Sequence, residues 1–238
     1  MDRREIPEMI TYIDNLEQGT PEWLKERMGI MTASVVKNLL TSKFAVSKDK
    51  KIKILALEMA AQRLTQKVVD PPRTRDMERG HIEEDLAKLV YNEHYNETYD
   101  VGFITNTYMG FKVGFSPDGL IGDDGFIEVK SRLPKYQVKT IYTDEVPDEY
   151  IAQIQMGFLV SGRKWCDFIQ YSNGMPLFVK RVEPDLEIIE SIKVALENFE
   201  TDITEAITAY ETNAKKLVDT EFVKHDYATT FVGDEDLD

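Results

Sequence analysis

Apolar positions recur along this chain with two different periods, and the change of period marks its elements. Ile52, Leu55, Met59 and Leu64 keep helical spacing and predict a helix over about 49–66. Ile82, Leu86, Leu89 and Val90 predict another over about 77–93, with those four side chains buried. After Pro184 the helical period runs through Ile188, Ile192, Leu196, Phe199, Ile203, Ile207 and Tyr210, and the opposite face is acidic. β-branched and aromatic runs predict strands near 101–105, 110–115, 120–121 and 126–130. Segments 165–171 and 177–182 predict a hairpin around Asn173-Gly174. Pro147-Asp148 introduces a helix over about 149–160, apolar at Ile151, Ile154 and Phe158. Thr20-Pro21-Glu22-Trp23 reads as a helix start, with a hydroxyl cap, Pro at the first helical position and an acid in the first turn. That helix stops at Gly29, and Thr32-Ala33-Ser34 opens a second one toward Leu40. Residues 68–75, with Pro71-Pro72, predict a loop, and a mobile tip is expected at 233–238. The order of helices, strand cluster, helix, hairpin and helix predicts one α/β domain built on a mixed sheet.

Charge narrows the partners. The net charge is −14 over 238 residues, which argues against a generic nucleic-acid binder. Its distribution is uneven. Eleven basic residues face five acids between Lys37 and Arg79, whereas fifteen acids face four lysines from Asp185 onward. Basic charge in the N-terminal third would allow a local groove for DNA. No apolar run approaches the roughly 20 residues of a membrane span, and Met1-Asp2-Arg3-Arg4-Glu5 carries no signal sequence, so a cytoplasmic location is expected. A single cysteine, Cys166, excludes an internal disulfide and any Cys-ligated zinc or iron–sulfur site, and its apolar surroundings suit a core position.

The chemistry concentrates at Ser116-Pro117-Asp118 and Glu128-Val129-Lys130. Asp124-Gly125 predicts a tight turn between them, which folds Asp118 back beside Glu128. Side chains alternate along a strand, so Glu128 and Lys130 share one face and Val129 points into the core. Two carboxylates and an ammonium then converge, as metal-assisted phosphodiester hydrolysis requires: hard divalent ions take carboxylate oxygens and waters, and a lysine stabilises developing charge. As a bare pattern an acid two residues before a lysine is common, and a solvated strand face accounts for it equally well.

Other segments add specificity. Gln18-Gly19-Thr20-Pro21-Glu22-Trp23 and Arg27-Met28-Gly29-Ile30-Met31-Thr32-Ala33-Ser34 resemble the N-terminal signature of the phage lambda exonuclease family, the YqaJ-type viral recombinases. Gly80 to Ala87 resembles that family's glutamate-bearing helix, Ser116 to Leu120 with Glu128 to Lys130 resembles its PD-(D/E)XK core, and Tyr150 to Gln155 resembles the helix that follows. The resemblance covers about residues 17–160. It implies a restriction-endonuclease-like α/β core, with a central mixed sheet flanked by helices and extended by a helical N-terminal part. The expected layout is one exonuclease domain over 1–238, with the helical part at about 17–95, the nuclease core at about 80–182 and a C-terminal helix and acidic tail at about 184–238.

What the resemblance implies for function is a Mg²⁺-dependent exonuclease that degrades linear double-stranded DNA 5′ to 3′ to mononucleotides and leaves a 3′ strand for annealing. Asp118, Glu128, the Val129 carbonyl and Glu84 would hold two ions, for which Mn²⁺ also suits the oxygen ligands. Lys130 and Gln153 would act on the attacking water and the phosphate. Arg27 and Ser34 would hold the terminal 5′-phosphate, helped by free N–H groups at the start of the Ser34 helix. Glu83 competes with Glu84, and Gln155 with Gln153, but helical geometry turns each pair apart. A homotrimeric ring, a single-strand annealing protein and a phage or prophage setting in a bacterial host are also implied. His81, His94 and His225 lack any paired spacing for a metal. Asp123 and Asp124 suit a turn; Trp23 suits either core or base stacking, and Lys48 to Lys53 either a solvated helix start or a DNA track. The alternatives are another PD-(D/E)XK nuclease, endonuclease or RecB-like, and a non-catalytic protein binding DNA ends or an annealing partner.

Overall fold

Pro117 lies between the last strand of one sheet and the first strand of another. It has no amide hydrogen to give to a ladder; the strands form two mixed four-stranded sheets where a single central one was expected. The structure is a computed structural model that describes residues 9–69, 75–221 and 231–232. In the first sheet β1 (Met9–Ile13), β4 (Phe103–Tyr108) and β5 (Phe111–Phe115) are antiparallel, and β2 (Met31–Thr32) lies parallel to β5. The second runs β6 (Gly119–Ile121), β7 (Gly125–Ser131), β8 (Trp165–Tyr171) and β9 (Phe178–Val182). Within it β7 and β8 are parallel, Glu128 lying opposite Phe168. A parallel pair needs a long crossover, supplied by α4 (Pro134–Thr143) and α5 (Asp148–Ser161).

Four further helices complete the described fold: α1 (Pro21–Glu26), α2 (Lys51–Thr65), α3 (Arg75–His94) and α6 (Leu186–Ala214). Thr20 caps α1, its side chain accepting from Trp23 N, and Asp185 caps α6. Helix α5 is buried along most of its length. Its Phe158 meets Phe126 edge-on, and Phe126 meets Phe115, both with centroids 5.1 Å apart. Gly157 leaves room for both Phe115 and Phe126, since a Cβ there would lie 3.0 Å from each ring. Helix α6 buries Ile192, Leu196, Phe199 and Ile203 as its periodicity predicts. On the other side of the second sheet, Ala87 and Tyr91 of α3 pack on Ile127, Val129 and Ile169.

Several expectations need correction. Ile82 (66 % exposed), Leu86 (44 %) and Leu89 (66 %) lie outward on α3, because the helix presents Ala87 and Tyr91, one turn apart, to the sheet. The segment after Thr32 forms no α-helix. Met31 and Thr32 instead pair with Val113 and Gly114, and only a 3₁₀ turn (Val36–Leu39) follows. The hairpin turn spans Gly122-Asp123-Asp124, with the positive φ (46°) at Gly122, while Gly125 already belongs to β7. Gly125 serves a different purpose: a Cβ there would come 2.3 Å from the Trp165 ring. The loop expected at 68–75 includes a short strand, β3 (Val68–Val69), paired with β10 (Phe231–Val232). The expected tip at 233–238 lies outside the described residues. Strand β1 and helix α4 had no counterpart in the periodicity; α4 buries Gln137 and Thr140 and exposes Val138 and Tyr142, the reverse of an amphipathic signal.

Candidate active site

The β6–β7 hairpin brings the acidic residues together. The Asp118 amide donates to Ile127 O (3.3 Å), and the Val129 amide donates to Asp118 Oδ2 (2.6 Å). Alternation along β7 then sorts the side chains. Phe126, Glu128 and Lys130 face α5, while Ile127 and Val129 join the α3 layer. Glu128 is fully buried. Its Oε1 pairs with the Lys130 ammonium and accepts from Gln153 Nε2 on α5. Its Oε2 is buried with no hydrogen-bond partner among the described residues. An orphaned carboxylate oxygen of this kind is costly unless something is meant to meet it.

Protonation follows from crowding. Burial pushes the Glu128 carboxyl up to about 7; Lys130 opposes the shift and Asp118 adds to it. Burial, reinforced by Asp118, pushes Glu84 up to about 8, against the pull of Lys88 and Lys130. Burial alone would lower Lys130, but Glu128 and Asp118 beside it raise its pKa overall, so it stays an ammonium. Glu84 is therefore the α3 acid that faces Asp118. Its neighbour Glu83 turns away, accepting from Ser131 Oγ with Arg79 Nε 3.9 Å distant. Gln155 likewise points elsewhere, bonding Glu183 O and accepting from the Asp185 amide at the start of α6. Within these two pairs, Glu84 and Gln153 are the members that lie beside Asp118 and Glu128.

A cleft of about 660 Å³ opens beside Glu84 and Asp118 and is lined further by Gln18, Lys88, Asp100 and Gly102. Among the described residues no three His, Cys, Asp or Glu side chains close into a ready metal cage. Each anion is tethered instead, Glu128 Oε1 by Lys130 and Gln153, Asp118 Oδ2 by the Val129 amide. The donor set nevertheless fits a hard divalent ion, which takes one or two carboxylates and keeps several waters. Glu128 Oε2, Asp118, the Val129 carbonyl and Glu84 could hold one.

A second cluster lies at the end of β2. Arg27 Nη2 donates to Thr32 Oγ1 (3.1 Å) and Ser34 Oγ (3.2 Å). The guanidinium sits 4.0 Å over the Trp23 ring, and burial lowers its pKa to about 10. No carboxylate pairs with it among the described residues. Trp23 Nε1 donates to Ser116 Oγ (2.9 Å), two residues before Asp118. Trp23 is half-buried and bridges the Arg27 guanidinium and Ser116. Only a 3₁₀ turn follows Ser34, and the contacts to Arg27 here are made by side chains. Thr32 and Lys88 were missed. Thr32 and Ser34 two residues on were legible as one polar face of an extended segment, whereas nothing in sequence singles out Lys88.

The remaining candidates are peripheral. Cys166 is buried, which pushes its thiol up. His94 is exposed, and the His81 side chain and His225 lie outside the described residues. Lys48, Lys50, Lys51 and Lys53 are solvated at the start of α2.

The model of the YqaJ-like viral recombinase domain matches residues 22–164, more than half of the chain. The chain belongs to that family. The matched YqaJ span contains both clusters, from Arg27 to Gln153. An alkaline exonuclease from Laribacter hongkongensis is similar, with 31% identity, a TM-score of 0.73, and coverage of 84% of this chain and all of that one. Its complex with dAMP gives a TM-score of 0.71. A phage-related exonuclease from Haemophilus somnus 129PT, at 13% identity and TM-score 0.54, covers 76% of this chain and 96% of its own and shares the fold. No curated protein matches. No described helix of this YqaJ-family chain is long and apolar enough to cross a membrane.

Proposed function

We propose that this protein is a nuclease of the exonuclease type, hydrolysing one strand of linear duplex DNA from its 5′ end to mononucleotides. The observation that carries this is the physical link between two sites. Arg27, whose side-chain hydrogen bonds among the described residues go to hydroxyls, is joined through Trp23 and Ser116 to the segment that bears Asp118. Arg27 offers a planar fork for a terminal phosphate, with Thr32 and Ser34 as flanking hydroxyls. An anchored end phosphate sets the polarity, because the next phosphodiester along the same strand then meets the carboxylates. The resemblance to alkaline exonucleases and to the lambda exonuclease family supports the same reading.

Mg²⁺ is the proposed cofactor, two ions at Asp118, Glu128, the Val129 carbonyl and Glu84, with Mn²⁺ as a substitute. Bound there, the metal supplies an activated water and neutralises charge on the phosphate. The chain's own groups do the rest. Lys130 stays protonated and faces the charge that builds in the transition state. Gln153 donates to Glu128 Oε1 and so leaves Oε2 for the ligand role. The wider setting, a ring-shaped homotrimer delivering a 3′ strand to an annealing protein during phage recombination in the bacterial cytoplasm, follows from the lambda resemblance and completes the proposal.

The test is release of a 5′ label from linear duplex DNA in Mg²⁺ and in EDTA, beside closed circles. Early release of labelled mononucleotide, absent in EDTA and on circles, is expected. Cutting of circles would mean an endonuclease, and binding without cleavage would mean an end-binding protein.

A further inference from the structure

The loop behind Arg27 is held with unusual thoroughness. Gly29, two residues on, is buried with φ of 68°. Consecutive residues of α2 engage both of its backbone groups. Its N–H donates to Gln62 Oε1 (2.8 Å), and its carbonyl accepts from Arg63 Nε (2.7 Å). A Cβ at Gly29 would lie 2.6 Å from Arg63 Cγ, so the packing leaves no room for a side chain. Arg63 is fixed in turn by Glu200 of α6, through Nη1 to Oε1 (2.6 Å) and Nη2 to Oε2 (2.8 Å). The grip reaches Arg27, because the Ile30 amide donates to Arg27 O (3.4 Å) and closes the turn around Gly29.

We propose that Gln62, Arg63 and Glu200 are positioning residues for the Arg27–Thr32–Ser34 pocket, so that helix α6 takes part in selecting a phosphorylated DNA end. The inference rests on the reading of that pocket as a phosphate site. The geometry separates it from a plain tie between α2 and α6. Such a tie needs only the two guanidinium–carboxylate bonds, whereas the third donor, Nε, is spent on the Gly29 carbonyl. A guanidinium held end-on by a carboxylate aims its Nε–H in a fixed direction. The Gly29 turn therefore takes its position from α6 as well as from α2.

The readout is the ratio of initial rates on 5′-phosphorylated and 5′-hydroxyl duplex ends, measured with melting temperature for each variant. Arg27→Ala tests the pocket itself and should reduce the ratio about tenfold to a hundredfold, as expected for losing hydrogen bonds to a charged group. Glu200→Gln should reduce it severalfold. The decisive variant exchanges the charges, Arg63→Glu with Glu200→Arg. It restores the α2–α6 pair but leaves the Gly29 carbonyl without its donor. Melting temperature recovered with the ratio still depressed supports positioning. Recovery of both would overturn it and leave a structural tie, as would a normal ratio in Glu200→Gln when Arg27→Ala has lost it. An unchanged ratio in Arg27→Ala would remove the phosphate reading, and this inference with it.

Discussion

Replacing Glu84 by Gln should stabilise the metal-free protein, and only at the higher pH values. The carboxyl is pushed from its ordinary 4.5 to about 8, by burial first and by Asp118 next. Between those values the folded protein keeps a proton that the unfolded chain has already lost. The favourable contribution is complete below pH 4.5 and is lost as pH rises toward 8. Each unit is about 1.4 kcal/mol, so full ionisation of Glu84 costs the fold on the order of 3–5 kcal/mol. For a chain of this size each kcal/mol corresponds to about 2–4 °C. The Gln side chain mimics the protonated acid and carries no such cost. Melting curves in EDTA should therefore coincide near pH 4.5 and separate by about 10 °C at pH 9, with the variant higher. Added Mg²⁺ should narrow the gap by raising wild type more. A constant gap at every pH would refute the reasoning, because it would place the effect in packing rather than ionisation.

The same protonation predicts cleavage rates that rise toward about pH 8 at subsaturating Mg²⁺ as Glu84 becomes available to a cation, and a pH–rate profile whose rise moves to lower pH as Mg²⁺ is increased. Lys130→Ala should lower single-turnover cleavage about 10²–10³-fold while gel-shift affinity for duplex ends stays close to wild type. Gln153→Ala, which releases Glu128 Oε1, should cost about 10–100-fold in activity or metal affinity, read by a Mg²⁺ titration of rate. Gly125→Ala drives a methyl into the Trp165 ring and should lower stability by about 1–3 kcal/mol in urea unfolding.

Legibility in the sequence followed the physics of each element. Helix α6 was readable because one face is buried and the other wet, so period and burial coincide; strand β7 was readable from its β-branched and aromatic run, although both of its faces are buried. Asp118, Glu128 and Lys130 were readable because a hairpin and strand alternation suffice to unite them. Helix α3 misled: its apolar stripe, Ile82 to Leu89, is solvent-exposed, and small Ala87 with Tyr91 makes the contact instead. Helix α4 was invisible because its buried residues are amides and hydroxyls; Gln137 donates to the carbonyls of Gln170 and Pro176. The choice of Glu84 and Gln153 over their neighbours came from the family resemblance and helical phase; in the fold Gln153 donates to Glu128 and Glu84 shares a cleft with Asp118. The Arg63–Glu200 pair joins residues 137 apart, a separation that no local pattern encodes.

Pro117 marks the seam between two plates. The plate containing β2 and β5 carries the Arg27 cluster, and the plate containing β7 carries Glu128 and Lys130. Under the proposed activity these are the two marks of a ruler, one at the strand end and one at the bond to be cut. Step length is then set by how the plates are joined, at Ser116 through Asp118, and by the Trp23 strut across the join. On that reading a short seam would suit release of single nucleotides, and a longer seam would take a longer bite.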